Sequence, residues 1–308
     1  MERMKAIRIH RYGGPGVLRL EDVLRPTPRS DELLIRVHAA SVNPIDRKIR
    51  QGIVTESLPF IPGWDLSGVV EATGSNVTRF KKGDEIYAAL NVLRDGAYAE
   101  YAIAKEAEVA LKPRTLTPVH AAAVPFAGLT AWQALFDQAE VARGQKVLIH
   151  GAAGGVGSFA VQFAKAKGAE VLATASGRNQ AFLRNLRVEV PIDYETTRFE
   201  DVAREVDVVL DTIGGEVQKR SWQAVRKGGV LVSIVQPPSR EEAAKAGVRG
   251  RLLVHRRSST QLVEIAKLVD AGQVKAFVET VLPLSDAQHA HEMIQTGHGR
   301  GKIVLRVA

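Results

Sequence analysis

The chain has 308 residues, enough for two domains of ordinary size, and its 45% hydrophobic and 25% charged residues exclude disorder, collagen and a coiled coil. Its 42 Lys and Arg against 34 Asp and Glu leave a net charge of +8, which favours anionic partners in general: phosphorylated cofactors, nucleic acid or membrane surface. There is no cysteine, which excludes disulfides, thiolate-held zinc, iron–sulfur clusters and thiol nucleophiles together.

The start, Met1-Glu2-Arg3-Met4-Lys5-Ala6-Ile7, alternates charge with apolar residues and lacks the apolar stretch of a signal peptide. No apolar run reaches the ~20 residues a membrane span needs, so the expectation is a cytoplasmic protein with no membrane partner. Up to about residue 125 the chain consists of short alternating or β-branched runs punctuated by Gly and Pro. Lys5-Ala6-Ile7-Arg8-Ile9, Glu32-Leu33-Leu34-Ile35-Arg36-Val37, Leu66-Ser67-Gly68-Val69-Val70-Glu71-Ala72 and Gly83-Asp84-Glu85-Ile86-Tyr87 read as strands of a mostly antiparallel β domain. The texture changes at Thr117-Pro118, where an N-cap residue and a first-turn proline start a helix.

Apolar strands then alternate with helical patterns. Lys146-Val147-Leu148-Ile149-His150 is a strand, 156–167 a helix, and Glu170-Val171-Leu172-Ala173-Thr174 a strand; 206–210 and 229–235 are further strands. Near-continuous apolar strands separated by helices predict a parallel sheet buried on both faces. Leu262, Ile265, Ala266 and Val269 fall on one face of a helix over 260–271. A capping box from Ser285 to Gln288 opens a last helix, and 301–307 forms a closing strand. Basic residues are scattered, the densest group being Arg249, Arg251, His255, Arg256 and Arg257, without the interleaved aromatics of a single-strand nucleic-acid binder.

The most informative segment is Val147-Leu148-Ile149-His150-Gly151-Ala152-Ala153-Gly154-Gly155-Val156-Gly157, which follows an apolar strand and opens a helix. Small residues are needed there because the turn is tight and the backbone must approach a pyrophosphate. Helix N–H groups and the helix dipole then hold the phosphates. Ala152, Gly154, Gly155, Val156 and Gly157 are therefore candidate cofactor-binding residues, with Ala152 in place of the usual first glycine. An NAD site carries Asp or Glu about 20 residues past the turn. The strand there ends in Ala173-Thr174-Ala175-Ser176-Gly177-Arg178, with no carboxylate. Ser176 and Arg178 can instead donate to a 2′-phosphate, so NADPH is the expected cofactor.

At this point the residues resemble a family. Asn43-Pro44-Ile45-Asp46-Arg47-Lys48, Pro62-Gly63-Trp64-Asp65-Leu66-Ser67-Gly68, Gly96-Ala97-Tyr98-Ala99-Glu100-Tyr101, Gly128-Leu129-Thr130-Ala131-Trp132, the glycine turn, Asp211-Thr212-Ile213-Gly214 and Gly301-Lys302-Ile303-Val304-Leu305 are similar to the medium-chain dehydrogenase/reductase superfamily. The similarity is to its zinc-independent quinone oxidoreductase and enone reductase branch, and it covers essentially the whole chain. It implies an α/β protein with a GroES-like β-rich catalytic domain over 1–125, completed by 272–308. A doubly wound parallel-sheet Rossmann domain would occupy 126–271. It also implies an NADPH-dependent, metal-free reductase of quinones or α,β-unsaturated carbonyls, with a homodimer through the edge of the Rossmann sheet as a common assembly.

Asn43 stands where zinc-dependent relatives carry Cys and Trp64 where they carry His, and neither amide nor indole is a zinc ligand. His289 and His291 are two apart on a helix, point to different faces and are read as surface residues. Without a metal, a hydrogen-bond donor must stabilise the charge that develops on the acceptor oxygen. By resemblance Lys48 is that donor, Asn43 holds the substrate carbonyl or the carboxamide, Asp46 orients Lys48 or the local backbone, Thr130 contacts the nicotinamide, and Tyr194 flanks the adenosine phosphate. Relatives carry Lys near Asn179, a part Arg178 would take here. Trp64 either lines an aromatic acceptor site or packs in the core, and His150 is read as a packed strand-end residue. The reading from another class is an NADPH-binding accessory or RNA-binding protein, which the intact glycine turn also fits. The polar set Asn43, Asp46 and Lys48 favours the enzyme.

Overall fold

A computed structural model describes residues 2–53, 57–297 and 299–308. Met1, read above with the N-terminal segment, and His298, one of the eight histidines, lie outside the described residues. The chain forms two units, one holding Met1–Phe126, Arg257–Gly272 and Ala276–Ala308, the other Ala127–Arg256 and Gln273–Lys275. The chain thus rejoins the first unit at Arg257, earlier than the expected residue 272. Helix Ser259–Asp270 buries Leu262, Ile265 and Val269, and Tyr87 donates its hydroxyl to the Leu262 carbonyl at 2.5 Å. An amphipathic helix suits either unit by pattern alone, and its buried partners decide.

The hub of the first unit is Glu32–Val42, which pairs antiparallel with Asp65–Thr73, Tyr101–Lys105 and Lys302–Arg306. The sheet runs on through Glu85–Ala89 to Val109–Leu111 on one side, and ends in Val278–Pro283, parallel to Lys302–Arg306, on the other. Strand Glu32–Val42 outlasts its predicted end at Val37 because its register against Asp65–Thr73 shifts between Val37 and Ala39, where period-two alternation fails. Thr117 caps helix Pro118–Ala122 by accepting from the His120 N–H. The expected capping box at Ser285 does not form. Leu284–Asp286 is a 3₁₀ turn that moves the start of helix Ala287–Gln295 past Ser285, and Gln288 instead donates to the Leu18 carbonyl at 2.8 Å.

In the second unit six strands, Lys146–Ile149, Glu170–Ala175, Val190–Asp193, Val206–Asp211, Val225–Ser233 and Arg249–Leu252, pair only in parallel, in the spatial order third, second, first, fourth, fifth, sixth. That is the doubly wound dinucleotide order, with its switch point beside the first strand. The run 229–235 belongs to an interior strand, so it is not an edge; the edges are Val190–Asp193 and Arg249–Leu252, two short strands the periodicity did not reveal. Where the chain leaves and re-enters this unit, a glutamine side chain pairs with both backbone groups of one residue. Gln133 takes the Arg256 N–H at 3.0 Å and donates to its carbonyl at 2.6 Å, and Gln162 does the same to Lys275 at 2.8 and 3.0 Å.

Candidate functional site

In the second unit the chain leaves Lys146–Ile149 through His150 and Gly151 and enters helix Gly155–Ala166. Gly151 has φ +61°, and a Cβ on it would lie 2.5 Å from Thr212 Oγ1. A Cβ on Gly157 would lie 2.3 Å from the Gly151 carbonyl oxygen and 2.6 Å from Ala152 Cα. Helix and turn are therefore in backbone contact at Gly157, while Gly151 is needed for its positive φ and for the room that Thr212 takes. Ala152 is fully buried and donates its N–H to the Thr174 carbonyl, tying the turn to the second strand. The N–H groups of Gly155, Val156 and Gly157 have no carbonyl a helical turn earlier and face outward from the helix start. This is a cradle that fits a pyrophosphate.

Thr212 Oγ1 donates to the His150 carbonyl at 2.8 Å, so the loop after the fourth strand packs over the turn. Asp211 holds that loop by accepting the N–H groups of Ile213 and Gly214 at 2.9 and 2.7 Å. His150 bonds Thr174 Oγ1 and Ser221 Oγ, and burial drives its pKa down to about 4. It is a neutral, packed residue. Thr130 is buried with its hydroxyl 3.2 Å from His255 Nδ1.

The end of the second strand departs from the sequence expectation. Ser176 is buried and Arg178 exposed, as donors on either side of Gly177. Yet the position is not free of carboxylates, because the third strand pairs Asp193 with Ala175 and so carries Asp193, Tyr194 and Glu195 to it. Glu195 Oε2 accepts the Gly177 N–H at 2.8 Å, and Asp193 Oδ1 accepts the Glu195 N–H at 3.0 Å. A Cβ on Gly177 would lie 2.9 Å from Asp193 Oδ2 and 3.2 Å from Glu195 Oε2. Tyr194, half exposed, stands between the two acids.

In the first unit a buried polar cluster gathers at the end of Glu32–Val42. Asn43 is the N-cap of helix Pro44–Arg50, and its N–H donates to Asp46 Oδ2 at 2.8 Å. The Asn43 amide donates to Asp65 Oδ2 at 2.9 Å while its carbonyl oxygen accepts from Lys302 Nζ. An ammonium can only donate and a carboxylate only accept, so the two fix which way this amide points. Asp65 also accepts from Ser41 Oγ and the Phe126 N–H, both at 2.7 Å, and its carboxyl is raised by burial. Lys302 Nζ lies 3.2 Å from the Val42 carbonyl and 3.7 Å from Asp65, and burial lowers its pKa.

Asp46 bonds the local backbone and the Tyr98 hydroxyl at 3.0 Å, not Lys48. Burial pushes its carboxyl up to about 7, and its Oδ1 has no hydrogen-bond partner. Tyr98 reaches His291 Nε2 at 3.3 Å. His291 is fully buried, which corrects its reading as a surface residue; burial drives its pKa down to about 3, while His289 is exposed. Helix Ala287–Gln295 lays His291 on its packed side and His289 on the other. Lys48 is half-buried on helix Pro44–Arg50, and its ammonium makes no hydrogen bond or ion pair with a described residue. Trp64 is fully buried in the core of this unit.

Asn43 and Asp46 meet at the start of helix Pro44–Arg50, and sequence reasoning gave no role to Asp65, Tyr98 and Lys302 beside them. All three stood inside recognised motifs, and for Asp65 and Lys302 the signal was there: a charge within an otherwise apolar or glycine-rich run. Asp193 and Glu195 carried no such signal, because only strand pairing places them.

The residues at the zinc-ligand positions do not fit a zinc ion. Asn43 is committed to Asp65 and Lys302, Trp64 offers an indole N–H, and no group of three or more metal-ligating side chains occurs among the described residues. The family models that match are an alcohol dehydrogenase GroES-like domain over residues 29–114 and a zinc-binding dehydrogenase domain over 186–305. The chain is 35% identical to a quinone oxidoreductase of Mus musculus, over 98% of this chain and 97% of that one. A quinone oxidoreductase from Coxiella burnetii superposes with a TM-score of 0.94 at 38% identity, covering all of both chains. A mycobacterial protein solved in complex with NADPH superposes with a TM-score of 0.89 at 30% identity, covering 99% of this chain and all of that one.

Proposed function

The chain belongs to the medium-chain dehydrogenase/reductase superfamily and is a nicotinamide-dependent oxidoreductase, and on that premise we propose that it reduces quinones or α,β-unsaturated carbonyls with NADPH and without a metal. The observation that carries the cofactor half of this reading is the glycine turn, where helix backbone at Gly157 stands in van der Waals contact with turn backbone and helix N–H groups open outward. A nicotinamide cofactor bound there supplies hydride. Gly155, Val156 and Gly157 hold its phosphates, Ala152 and Gly154 leave room for them, Thr130 contacts the nicotinamide, and Ser176, Arg178 and Tyr194 take the adenosine end.

Quinones and enones spread the incoming negative charge over a conjugated system onto oxygen, so a hydrogen-bond donor can stabilise it, whereas a simple ketone concentrates the charge on one alkoxide oxygen. Asn43 has one amide N–H left after its bond to Asp65 and offers it to the acceptor oxygen. Lys48, whose ammonium makes no hydrogen bond or ion pair with a described residue, is the second hydrogen-bond donor to that oxygen, and Asp46 holds the helix start that carries both. The Asn43 and Trp64 side chains support the metal-free reading.

A second cofactor reading, NADH, is favoured by the Glu195 carboxylate on the Gly177 N–H. The deciding experiment follows cofactor absorbance with a panel of quinones, linear enones and simple ketones, using NADPH and NADH with and without EDTA. Turnover of quinones or enones, undiminished by the chelator, is expected. Activity confined to simple ketones, or lost with EDTA, overturns the mechanism; cofactor binding without any turnover points to an accessory protein.

A further inference from the structure

We propose that Glu195 is a specificity-determining residue for the cofactor, one that restrains binding of NADPH and keeps the site open to NADH. The proposal rests on the nicotinamide reading above and concerns only the adenosine-ribose end. In a doubly wound site that end lies at the tip of the second strand, where a carboxylate accepts from the ribose hydroxyls of NAD, or cations and donors hold the 2′-phosphate of NADP. This chain places both kinds of group there. Ser176 and Arg178 come along the strand itself, while Asp193 and Glu195 come across from its parallel neighbour.

Three observations single out Glu195. It occupies the Gly177 N–H at 2.8 Å, the main-chain donor lying between the two side-chain donors a 2′-phosphate would use. It is itself held by its backbone, since Asp193 Oδ1 accepts the Glu195 N–H at 3.0 Å. Residue 177 is also a glycine with no positive φ to explain it; a Cβ would press on both carboxylates, at 2.9 and 3.2 Å. The acids thus lie close against the position, and their carboxylate ends would have to give way to any side chain there.

A 2′-phosphate carries close to two negative charges near neutral pH. Brought to this tip it meets two carboxylates and finds the Gly177 amide already engaged. A ribose diol meets the same carboxylates as acceptors. Arg178 and Ser176 act in the opposite sense, so the two cofactors are held in balance by Glu195.

The test is a titration of NADPH and NADH into the full chain, read by quenching of tryptophan fluorescence, so that no acceptor or turnover is involved. Glu195→Gln keeps the size and an oxygen for the Gly177 N–H while removing the charge. Expected is a fall in the NADPH dissociation constant of about tenfold, the scale of one nearby unit charge, with NADH unchanged or slightly weaker. Arg178→Ala moves the ratio the other way. Glu195 is exposed, so the substitution leaves the fold intact, and Asp193→Asn gives a second variant with the same predicted sign. Both cofactors binding with a ratio that Glu195→Gln leaves unmoved overturns the proposal alone. Failure of both cofactors to bind the wild-type chain overturns it together with the nicotinamide reading.

Discussion

Replacing Lys302 by Met takes away the ammonium of a buried cluster while keeping the length of the side chain. Lys302 is 5% exposed and Asp65 fully buried, with 3.7 Å between their charged atoms. Removing one partner of such a pair costs about 3–5 kcal/mol, because the other charge stays buried without its counter-ion. Asp65 retains Ser41, Asn43 and the Phe126 N–H, which places the expected loss near the lower end, about 3 kcal/mol. For a domain of this size that lowers Tm by roughly 6–12 °C. Urea unfolding and calorimetry on the wild type, Lys302→Met, Asp65→Asn and the double variant complete a cycle in which the double variant recovers about 2 kcal/mol of the summed losses. Lys81→Met, at an exposed ion pair, is the control and leaves the midpoint unchanged. A loss below about 1 kcal/mol for Lys302→Met, or strict additivity in the cycle, refutes the assignment of Lys302 as the counter-ion of this cluster.

Gly157→Val drives a side chain into the Gly151 carbonyl and Ala152, so cofactor binding falls by at least about 100-fold in the fluorescence titration; retained binding means that the turn is not the phosphate cradle. His291 supplies a pH signature. Its folded pKa of about 3 lies below the ordinary 6.5, so the unfolded chain binds the proton more readily and stability falls as pH drops through that window. The stability advantage of the wild type over His291→Gln grows by about 1.4 kcal/mol per pH unit from about pH 4 to 6.5 and is level above it. A difference that stays flat with pH shows that the imidazole is not buried neutral. Asp46 works in the opposite direction, its raised carboxyl losing stability as pH rises toward about 7. The stability of the wild type relative to Asp46→Asn therefore falls by about 1.4 kcal/mol per pH unit between about pH 4 and 7, as urea midpoints of both proteins measured across that range will show.

The glycine turn was legible because its chemistry is local: a strand, small residues and a helix start follow one another within a dozen positions. The same locality made Thr117 readable as a cap. What escaped depends on residues that meet only after folding. Val190–Asp193 has four residues and includes a proline, too little for periodicity to reveal, yet its pairing with Glu170–Ala175 puts Glu195 on Gly177. Lys302 follows Asn43 by 259 residues and reaches it because the last strand pairs with the end of Glu32–Val42. His291 has a polar name on an amphipathic helix, and nothing short of Tyr98 and the buried face tells that it points inward.

The paired contacts of Gln133 and Gln162 set how much the sequence can vary at the two crossings. Each amide reads only an N–H and a carbonyl of its partner, the groups every residue but proline presents. Residues 256 and 275 are thereby released from choosing a side chain for the sake of this junction, and Arg256 is free to spend its own on Asp137. The burden moves entirely to the glutamines. Glutamate at either position keeps the shape but loses the donor, and would set a carboxylate against a carbonyl oxygen. A saturation library scored for folded protein would therefore tolerate nearly everything except proline at 256 and 275, and almost nothing but glutamine at 133 and 162.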